Sequence, residues 1–299
     1  MTSDSPVPAT AGRPSLLILG ASVRAAAQSA LRAGFDPTCA DRYADSDLRA
    51  CARVLPVADF PAGLWHALRN TASVPWIYTG SLENHPALLQ RIARDHPLLG
   101  TPAEVVRAVR DPVRLNRALV AAGLPALSVR LGVEPVPPAD STWMLKPRRG
   151  AAGRGVAVWN AQARGHLTLA EPHYFQRRAT GTEHSALFLA GPLSTELLGT
   201  SRQLVGLDWA GAPSAAWCGN LVPDVLTGTT LEMVAAIGWA VAAAFPLRGL
   251  FGCDFIMADG VPWLTEVNPR YTGSTELLEF HRQTSLLSQH LRACRVMAG

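Results

Sequence analysis

Phe251-Gly252-Cys253-Asp254-Phe255-Ile256-Met257-Ala258-Asp259-Gly260-Val261-Pro262-Trp263-Leu264-Thr265-Glu266-Val267-Asn268-Pro269-Arg270 decides how this chain is read. Two apolar runs flank Asp259-Gly260, a dipeptide suited to the tight turn of a β-hairpin. Side chains alternate along a strand, so Glu266 and Asn268 project from one face. A plain two-residue turn places Asp254 opposite Thr265, on the wrong face. A three-residue loop that takes in Val261, or a bulge, brings Asp254 opposite Glu266 instead. The second arrangement is expected, for a chemical reason. Two carboxylates and an amide oxygen repel one another unless a hard divalent cation lies between them, and an all-oxygen set suits Mg²⁺ that also takes water and phosphate. Asp254, Glu266 and Asn268 are thus the candidate metal ligands. The competing reading is a hairpin whose acids are merely solvated.

Upstream, Trp143-Met144-Leu145-Lys146-Pro147 reads as a strand that runs into Arg148-Arg149-Gly150-Ala151-Ala152-Gly153-Arg154-Gly155 and out through the apolar Val156–Trp159. A Walker-type loop needs Gly-Lys-Ser/Thr followed by a helix; here the lysine precedes the glycines and a strand follows them. The stretch is expected to be a glycine-rich hairpin that folds over phosphates as a flap, with backbone N–H groups converging on the anion and Lys146 and Arg154 adding charge. Lys146 is the only lysine among 27 basic residues, the rest being arginine. A compact point charge on a flexible stem suits a crowded phosphate site better than a planar fork. Between the two hairpins, Tyr174 to Glu183 reads as a strand, a glycine turn and an acid, followed by the apolar strand Ser185–Leu189. Such a connector can offer main-chain groups to an adenine edge.

The N-terminal part alternates strand and helix. A strand at Ser15–Leu19, a Gly20-Ala21-Ser22 turn and an Ala-rich helix ending near Gly34 open a parallel α/β unit. Strands follow at Arg53–Val57 and Trp76–Thr79, then a helix over 86–95. Asp41 lies at the distance where dinucleotide folds place a ribose-binding acid, but the second and third glycines of that fingerprint are missing. Asp111-Pro112 starts a further helix that ends at Ala122-Gly123-Leu124-Pro125, and Glu134–Asp140 reads as a Pro-rich linker. Tyr78 to Asn84 and the following His85 form a polar loop at a strand end, where open α/β sheets place ligands. Candidates for a substrate pocket are Ser22, Tyr78, Glu83, Asn84 and His85 from this part, with Arg202, Gln203, Tyr271, Thr272 and Ser274 from the last.

Composition narrows the function. The 299 residues, 48% of them hydrophobic, fill two or three packed units at roughly 100–150 residues each. A net charge of only +4, with scattered arginines, gives no basic stripe for nucleic acid. The longest apolar run, Met233–Leu247, contains Pro246 and is too short to cross a bilayer, so it reads as a buried helix. Residues 1–13 read as a frayed tail rather than a signal peptide. Five cysteines without a CxxC pair, and dispersed histidines, argue against a disulfide framework or a zinc site, and a cytoplasmic location is expected.

In their order and spacing these features resemble the ATP-grasp superfamily of carboxylate–amine (or thiol) ligases. The resemblance covers most of the chain. It implies an α/β protein: a Rossmann-like pre-ATP-grasp domain over 14–110, a small ATP-grasp lobe with the Gly-rich loop over 111–175, and a large lobe with the metal site over 176–299. ATP and Mg²⁺ or Mn²⁺ are the implied cofactors, and small-molecule carboxylates and amines the implied substrates, with no nucleic acid or membrane partner and a homodimer among the permitted assemblies. The resemblance assigns Lys146, Gly150, Gly153, Arg154 and Gly155 to the phosphates, Gln176, Arg177 and Ala179 to the adenine hinge, and Glu183 to the ribose. Asp254, Glu266 and Asn268 match the family's metal ligands, and Arg270 an arginine that touches the transferring phosphate. The implied reaction is phosphorylation of a carboxylate by ATP, followed by attack of an amine on the acyl phosphate. Asn268-Pro269-Arg270-Tyr271-Thr272-Gly273 is similar to ligases linked to one-carbon carrier cofactors, including tyramine/tyrosine–glutamate ligases. Three departures stand out. Pro112 replaces a phosphate-binding cation, so that charge is either missing or supplied by Arg114 or another arginine; Gln176 replaces the usual hinge glutamate; and Gly252-Cys253 lacks an arginine found in some peptide ligases. A nucleotide-binding regulatory protein without catalysis, and a bicarbonate-using carboxylase, are the alternatives.

Overall fold

A computed structural model describes residues 12–132, 135–165 and 172–298. The chain opens with alternating strands and helices: β1 (Ser15–Gly20), α1 (Arg24–Arg32), β2 (Asp36–Asp41), α2 (Ser46–Cys51), β3 (Arg53–Leu55), α3 (Gly63–Leu68) and β4 (Trp76–Tyr78). The strands lie in the order β3-β2-β1-β4 and every pairing is parallel. A parallel sheet is covered on both faces, which is why β1 is an unbroken apolar run rather than an alternating one. Leu16 and Ile18 enter one core with α1, whereas Leu17 and Leu19 enter a second with Leu64, Tyr78 and Leu89. Helices α4 (Pro86–Ile92) and α5 (Ala103–Val109) complete this unit.

Asp111 accepts from the backbone N–H groups of Val113 and Arg114 and caps α6 (Pro112–Ala121), with Pro112 in the first turn where a missing N–H costs nothing. There follow β5 (Val129–Leu131), β6 (Asp140–Pro147), β7 (Ala157–Asn160), α7 (Ala161–Gly165) and β8 (His173–Arg177), which form an antiparallel sheet in the order β5-β8-β6-β7. Trp143, Leu145, Trp159 and Phe175 make its small core. The expected linker meets two limits: residues 133 and 134 lie outside the described residues, and Asp140 already belongs to β6. Of the expected tail, residues 1–11 lie outside the described residues as well.

The last part comprises β9 (Thr182–Ala190), β10 (Thr195–Val205), β11 (Trp217–Leu221), α8 (Gly228–Ala244), β12 (Gly249–Ala258), β13 (Val261–Asn268), α9 (Gly273–Arg282) and α10 (Leu286–Ala298). Its antiparallel sheet runs β11-β10-β9-β12-β13. One face packs on α8 through Phe188, Phe251, Phe255, Val234, Ile237 and Val241. The apolar helix expected over 233–247 begins earlier and stops before Phe245, whose extended backbone is the conformation that Pro246 demands of its predecessor. Among the described residues no helix is long and apolar enough to cross a membrane.

The C-terminal helix ties this part to the first. Leu286, Leu287 and Leu291 of α10 share a core with Leu16, Ile18 and Ala27. Beside them the buried carboxylate of Glu279 accepts from Ser29 Oγ at 2.5 Å, Arg32 at 2.6 Å and the Leu286 backbone N–H at 2.8 Å. On the other face of the five-stranded sheet Leu187, Leu198 and Leu250 pack on α9 and α10, and the rest of that face borders, with the two other parts, a cleft of about 900 Å³.

Candidate active site

The β12–β13 hairpin places Asp254 opposite Glu266. Asp259 and Gly260, both at positive φ (50° and 76°), form a two-residue turn, so the register is corrected by a bulge rather than by a longer loop. Phe255 pairs with Leu264, which leaves Thr265 as the extra residue. The bulge has a use. Thr265 Oγ1 donates to the Asp254 carbonyl at 3.0 Å, and the Thr265 carbonyl accepts from Lys146 Nζ at 3.1 Å. The same pleat brings Glu183, Ser185, Gln203 and Asn220 to the cleft face beside the trio.

Each member of the trio is already engaged. Gln203 donates to Asp254 Oδ1 at 3.0 Å and Asn268 Nδ2 to Asp254 Oδ2 at 2.8 Å. Arg110 donates to Glu266 Oε1 at 2.5 Å, and Arg270 to Asn268 Oδ1 at 3.1 Å. Burial pushes the Asp254 carboxyl up to about 7, and the neighbouring Glu266 charge adds to the rise. For Glu266, enclosure works in the same direction, but Arg110 and then Lys146 outweigh it and hold the carboxyl below its usual range. Two acids driven apart in this way are a pair whose repulsion a divalent cation would relieve, and their oxygen donors with that of Asn268 fit a hard cation. Among the described residues no three His, Cys, Asp or Glu side chains cluster as a metal site, so two carboxylates and an amide are what the protein offers.

Lys146 faces the trio from β6. Its Nζ also donates to Gln176 Oε1 at 3.1 Å, which gives the residue at the expected hinge a role in aiming the lysine. The hairpin after Lys146 bends through Gly150–Gly155 and leans on two supports. Asn84 Nδ2 donates to the Gly150 carbonyl at 3.0 Å while the Gly150 N–H donates to Asn84 Oδ1 at 3.3 Å. Gly153, at φ +73°, lies so close to Ala215 that a Cβ would stand 1.6 Å from its carbonyl oxygen, and only glycine fits.

Arg270, just past Asn268, reaches back to the first unit. Its Nε donates to Glu83 Oε1 at 2.8 Å, and a Cβ on Gly80 would stand 3.3 Å from its Cζ, so backbone and carboxylate together confine the guanidinium.

The cleft wall includes Lys146, Gly150, Gly153, Arg154, Gln176, Arg177, Ala179, Glu183, the trio and Arg270, but not Gly155. Of the substrate candidates, Ser22, Glu83, Gln203, Tyr271, Thr272 and Ser274 line it. Four do not. Tyr78 is buried, its hydroxyl donating to the carbonyls of Thr101 and Pro269 at 2.8 and 2.9 Å. Arg202 is one residue from Gln203 on β10, so alternation turns it to the other face. Asn84 supports the loop instead of lining the cleft, and His85 stands at the start of α4, its pKa lowered by burial and by Arg149. Asp41 is no ribose acid: buried, it accepts from the backbone N–H groups of Val23, Tyr43 and Ala44 at 2.7, 2.6 and 2.7 Å. The charge missing at Pro112 is not supplied by Arg114, which is absent from the cleft wall; Arg110 and Arg148 are there, and Arg148 pairs with Asp111 at 3.2 Å.

Arg110 escaped the sequence reading. It stands at the end of α5 with no motif around it, and its partner is 156 residues away.

Residues 110–274 match the ATP-grasp domain. The chain is 24% identical over 230 residues to the carbamoyl phosphate synthase large chain of Streptomyces avermitilis, a match that takes in 72% of this chain and 20% of that one, so the chain spans about a fifth of that relative. Among solved structures, an ADP complex of N5-carboxyaminoimidazole ribonucleotide synthetase superposes with a TM-score of 0.72 at 20% identity, covering 95% of this chain and 78% of the other. A biotin carboxylase–βγ-ATP complex from Campylobacter jejuni gives 0.70 at 14% identity, covering 93% and 70%.

Proposed function

The chain belongs to the ATP-grasp family, and from that premise we propose that it is an ADP-forming ligase which activates a carboxylate as an acyl phosphate for attack by an amine. The family's cofactors are ATP with Mg²⁺ or Mn²⁺. The observation that carries the reading is the meeting of Lys146, Arg270 and the Asp254–Glu266–Asn268 trio around a single cleft. In this reading residues 14–110 are the domain preceding the grasp fold, 111–175 the small lobe and 176–299 the large lobe, and the protein works in the cytoplasm on small molecules.

The residues divide the work. Gln176, Arg177 and Ala179 border the adenine, and Glu183 takes the ribose hydroxyls. Gly150, Gly153 and Arg154 cover the phosphates, with Gly155 keeping the turn supple. Lys146 and Arg270 stabilise the group in transfer by charge, held in advance by Gln176, Thr265 and Glu83 so that little reorganisation is needed during reaction. Asp254, Glu266 and Asn268 would hold the cation, which when bound neutralises charge building up on the phosphates. Ser22, Gln203, Tyr271, Thr272 and Ser274 border the space left for the carboxylate and amine. The narrower kinship, with ligases of one-carbon carrier cofactor biosynthesis, rests on Asn268–Gly273 alone.

A screen for ADP release across carboxylate and amine pairs with Mg²⁺ tests the proposal. Steady release that depends on one pair is the expected result. Tight ATP binding without release under any pair would make the protein a nucleotide-binding regulator, and release dependent on labelled bicarbonate would make it a carboxylase.

A further inference from the structure

Glu83 sits on a single 3-10 turn, Leu82–Asn84, at the end of the loop that follows β4. Its side chain is 1% exposed and it lines the cleft. Oε1 accepts from Arg270. Oε2 accepts from nothing, and among the described residues it is the one buried side-chain nitrogen or oxygen left without a partner. An unpaired buried acceptor costs about 1–3 kcal/mol, and more when charged, so it calls for a partner that arrives from elsewhere.

The chemistry of that partner is constrained. A carboxylate oxygen only accepts, so the partner must donate, and a buried negative charge favours a cation over a neutral donor. Through Arg270 the carboxylate lies next to Asn268, on the side of the trio facing the first unit. Orienting Arg270 does not account for Oε2, because that task falls to Oε1 and to the close approach of Gly80. We infer that Glu83 is the amine subsite of this cleft: Oε2 accepts an N–H from the ammonium form of a primary or secondary amine that enters from the first unit, and then takes that proton, so that the freed nitrogen lone pair forms the C–N bond at the activated carboxyl beside Arg270 as the C–O bond breaks and phosphate leaves. The inference rests on the ligase reading above. It also narrows it, since bicarbonate, an anion, is repelled from the same position.

The test separates two nucleophiles. Hydroxylamine is largely uncharged at about pH 7.5 and traps an acyl phosphate as a hydroxamate, whereas ethylamine, ethanolamine and tyramine are ammonium ions there. With ATP, Mg²⁺ and a panel of carboxylates that includes glutamate, Glu83→Gln, whose amide oxygen still accepts from Arg270, should lower hydroxamate formation less than amine ligation, raising KM for the amine about tenfold or more relative to KM for hydroxylamine. Glu83→Asp retains a partner for Arg270 but withdraws the carboxylate by one methylene, and should show the same split; thermal midpoints report whether either variant is folded. An unchanged amine KM overturns the inference. So does an equal loss with both nucleophiles, which would make Glu83 a positioning residue for Arg270. A second arm needs no turnover: saturation-transfer NMR should show tyramine bound to the native protein, displaced by ethylammonium but not by bicarbonate, and weakened in Glu83→Gln. That result would uphold the amine subsite even if no hydroxamate formed and the ligase reading failed, whereas no binding, or displacement by bicarbonate, overturns it.

Discussion

Arg110 and Glu266 meet at 2.5 Å across 156 residues of chain, and the same guanidinium donates to Asn84 Oδ1 at 3.1 Å. Asn84 in turn holds Gly150 by two hydrogen bonds. A candidate metal ligand is thus connected to the glycine-rich loop through two residues of the first unit.

Removing the middle of that connection should loosen the loop. Asn84→Ala deletes both bonds to Gly150, worth about 0.5–1.5 kcal/mol each, so the opened loop becomes roughly tenfold more populated. Arg149 and Arg154 make the loop a trypsin substrate. Limited proteolysis should cut the variant about tenfold faster there, in the regime where opening is rapid relative to cleavage. A non-hydrolysable ATP analogue should slow the cut in both proteins. Equal cleavage rates without nucleotide would show that Asn84 does not hold the loop.

Asp254 sets a pH dependence for cation binding. Its carboxyl is pushed up to about 7, so below that pH the free protein carries a proton which a bound cation must displace. Apparent affinity for Mn²⁺, measured with a nucleotide analogue present, should therefore be flat above pH 7 and fall by about tenfold per unit below it. Calorimetry in buffers of different ionisation enthalpy should detect close to one proton released at low pH and none at high pH. The same shift makes Asp254 a liability for the metal-free fold. A carboxyl raised in the folded state favours the native protein at low pH, and that contribution is lost as pH rises from the unfolded value of about 4 through 7. Asp254→Asn should abolish both effects.

The hairpin and the candidate site differ in how far they were legible. Asp254 opposite Glu266 could be read because alternation is strict and only a shift of one residue unites the acids; the residues could not say whether a loop or a bulge made the shift. Lys146 stood out as a composition anomaly. Arg110 carried no such mark among 26 arginines, and its partners lie in other parts of the fold. Tyr78 was misread for the opposite reason. Its position at a strand end is where ligands gather in open α/β sheets, but its side chain shares the β4 face of Trp76 and goes into the core. Asp41 had the right spacing for a ribose and is consumed by backbone N–H groups of its own loop. Spacing along the chain reports which residues can meet, and the partners already present decide what they do.

Lys146 and Asn268 should each be costly to remove from the proposed active site. Preorganised donors at a transferring phosphate are worth roughly 2–4 kcal/mol, so Lys146→Ala and Asn268→Ala should each lower ADP-forming turnover about a hundredfold or more. Lys146→Arg is the sharper variant. The ammonium serves Gln176 Oε1 and the Thr265 carbonyl from one point, both at 3.1 Å, and a planar fork cannot reproduce that geometry. A loss on the order of tenfold is expected although the charge is kept. Turnover retained in both alanine variants would remove Lys146 and Asn268 from the proposed machinery.

Glu279 holds together parts of the chain that lie 250 residues apart. It is 2% exposed and accepts from Ser29, Arg32 and the backbone of Leu286, so α1, α9 and α10 converge on one carboxylate. Glu279→Ala would leave the Leu286 and Leu287 N–H groups and the Ser29 and Tyr271 hydroxyls without this acceptor and remove the partner of Arg32, which is 38% exposed and can turn to water. The loss is therefore smaller than for a fully buried ion pair: about 2–3 kcal/mol, chiefly from the buried donors, which for a protein of this size lowers the thermal midpoint by about 5 °C or more. Glu279→Gln keeps an acceptor oxygen for Ser29 and Leu286 while giving up the charge, and should recover at least half of that loss. Calorimetric scans of the two variants decide the matter, because a contribution dominated by the ion pair predicts equal destabilisation and one dominated by the buried hydrogen bonds predicts the recovery.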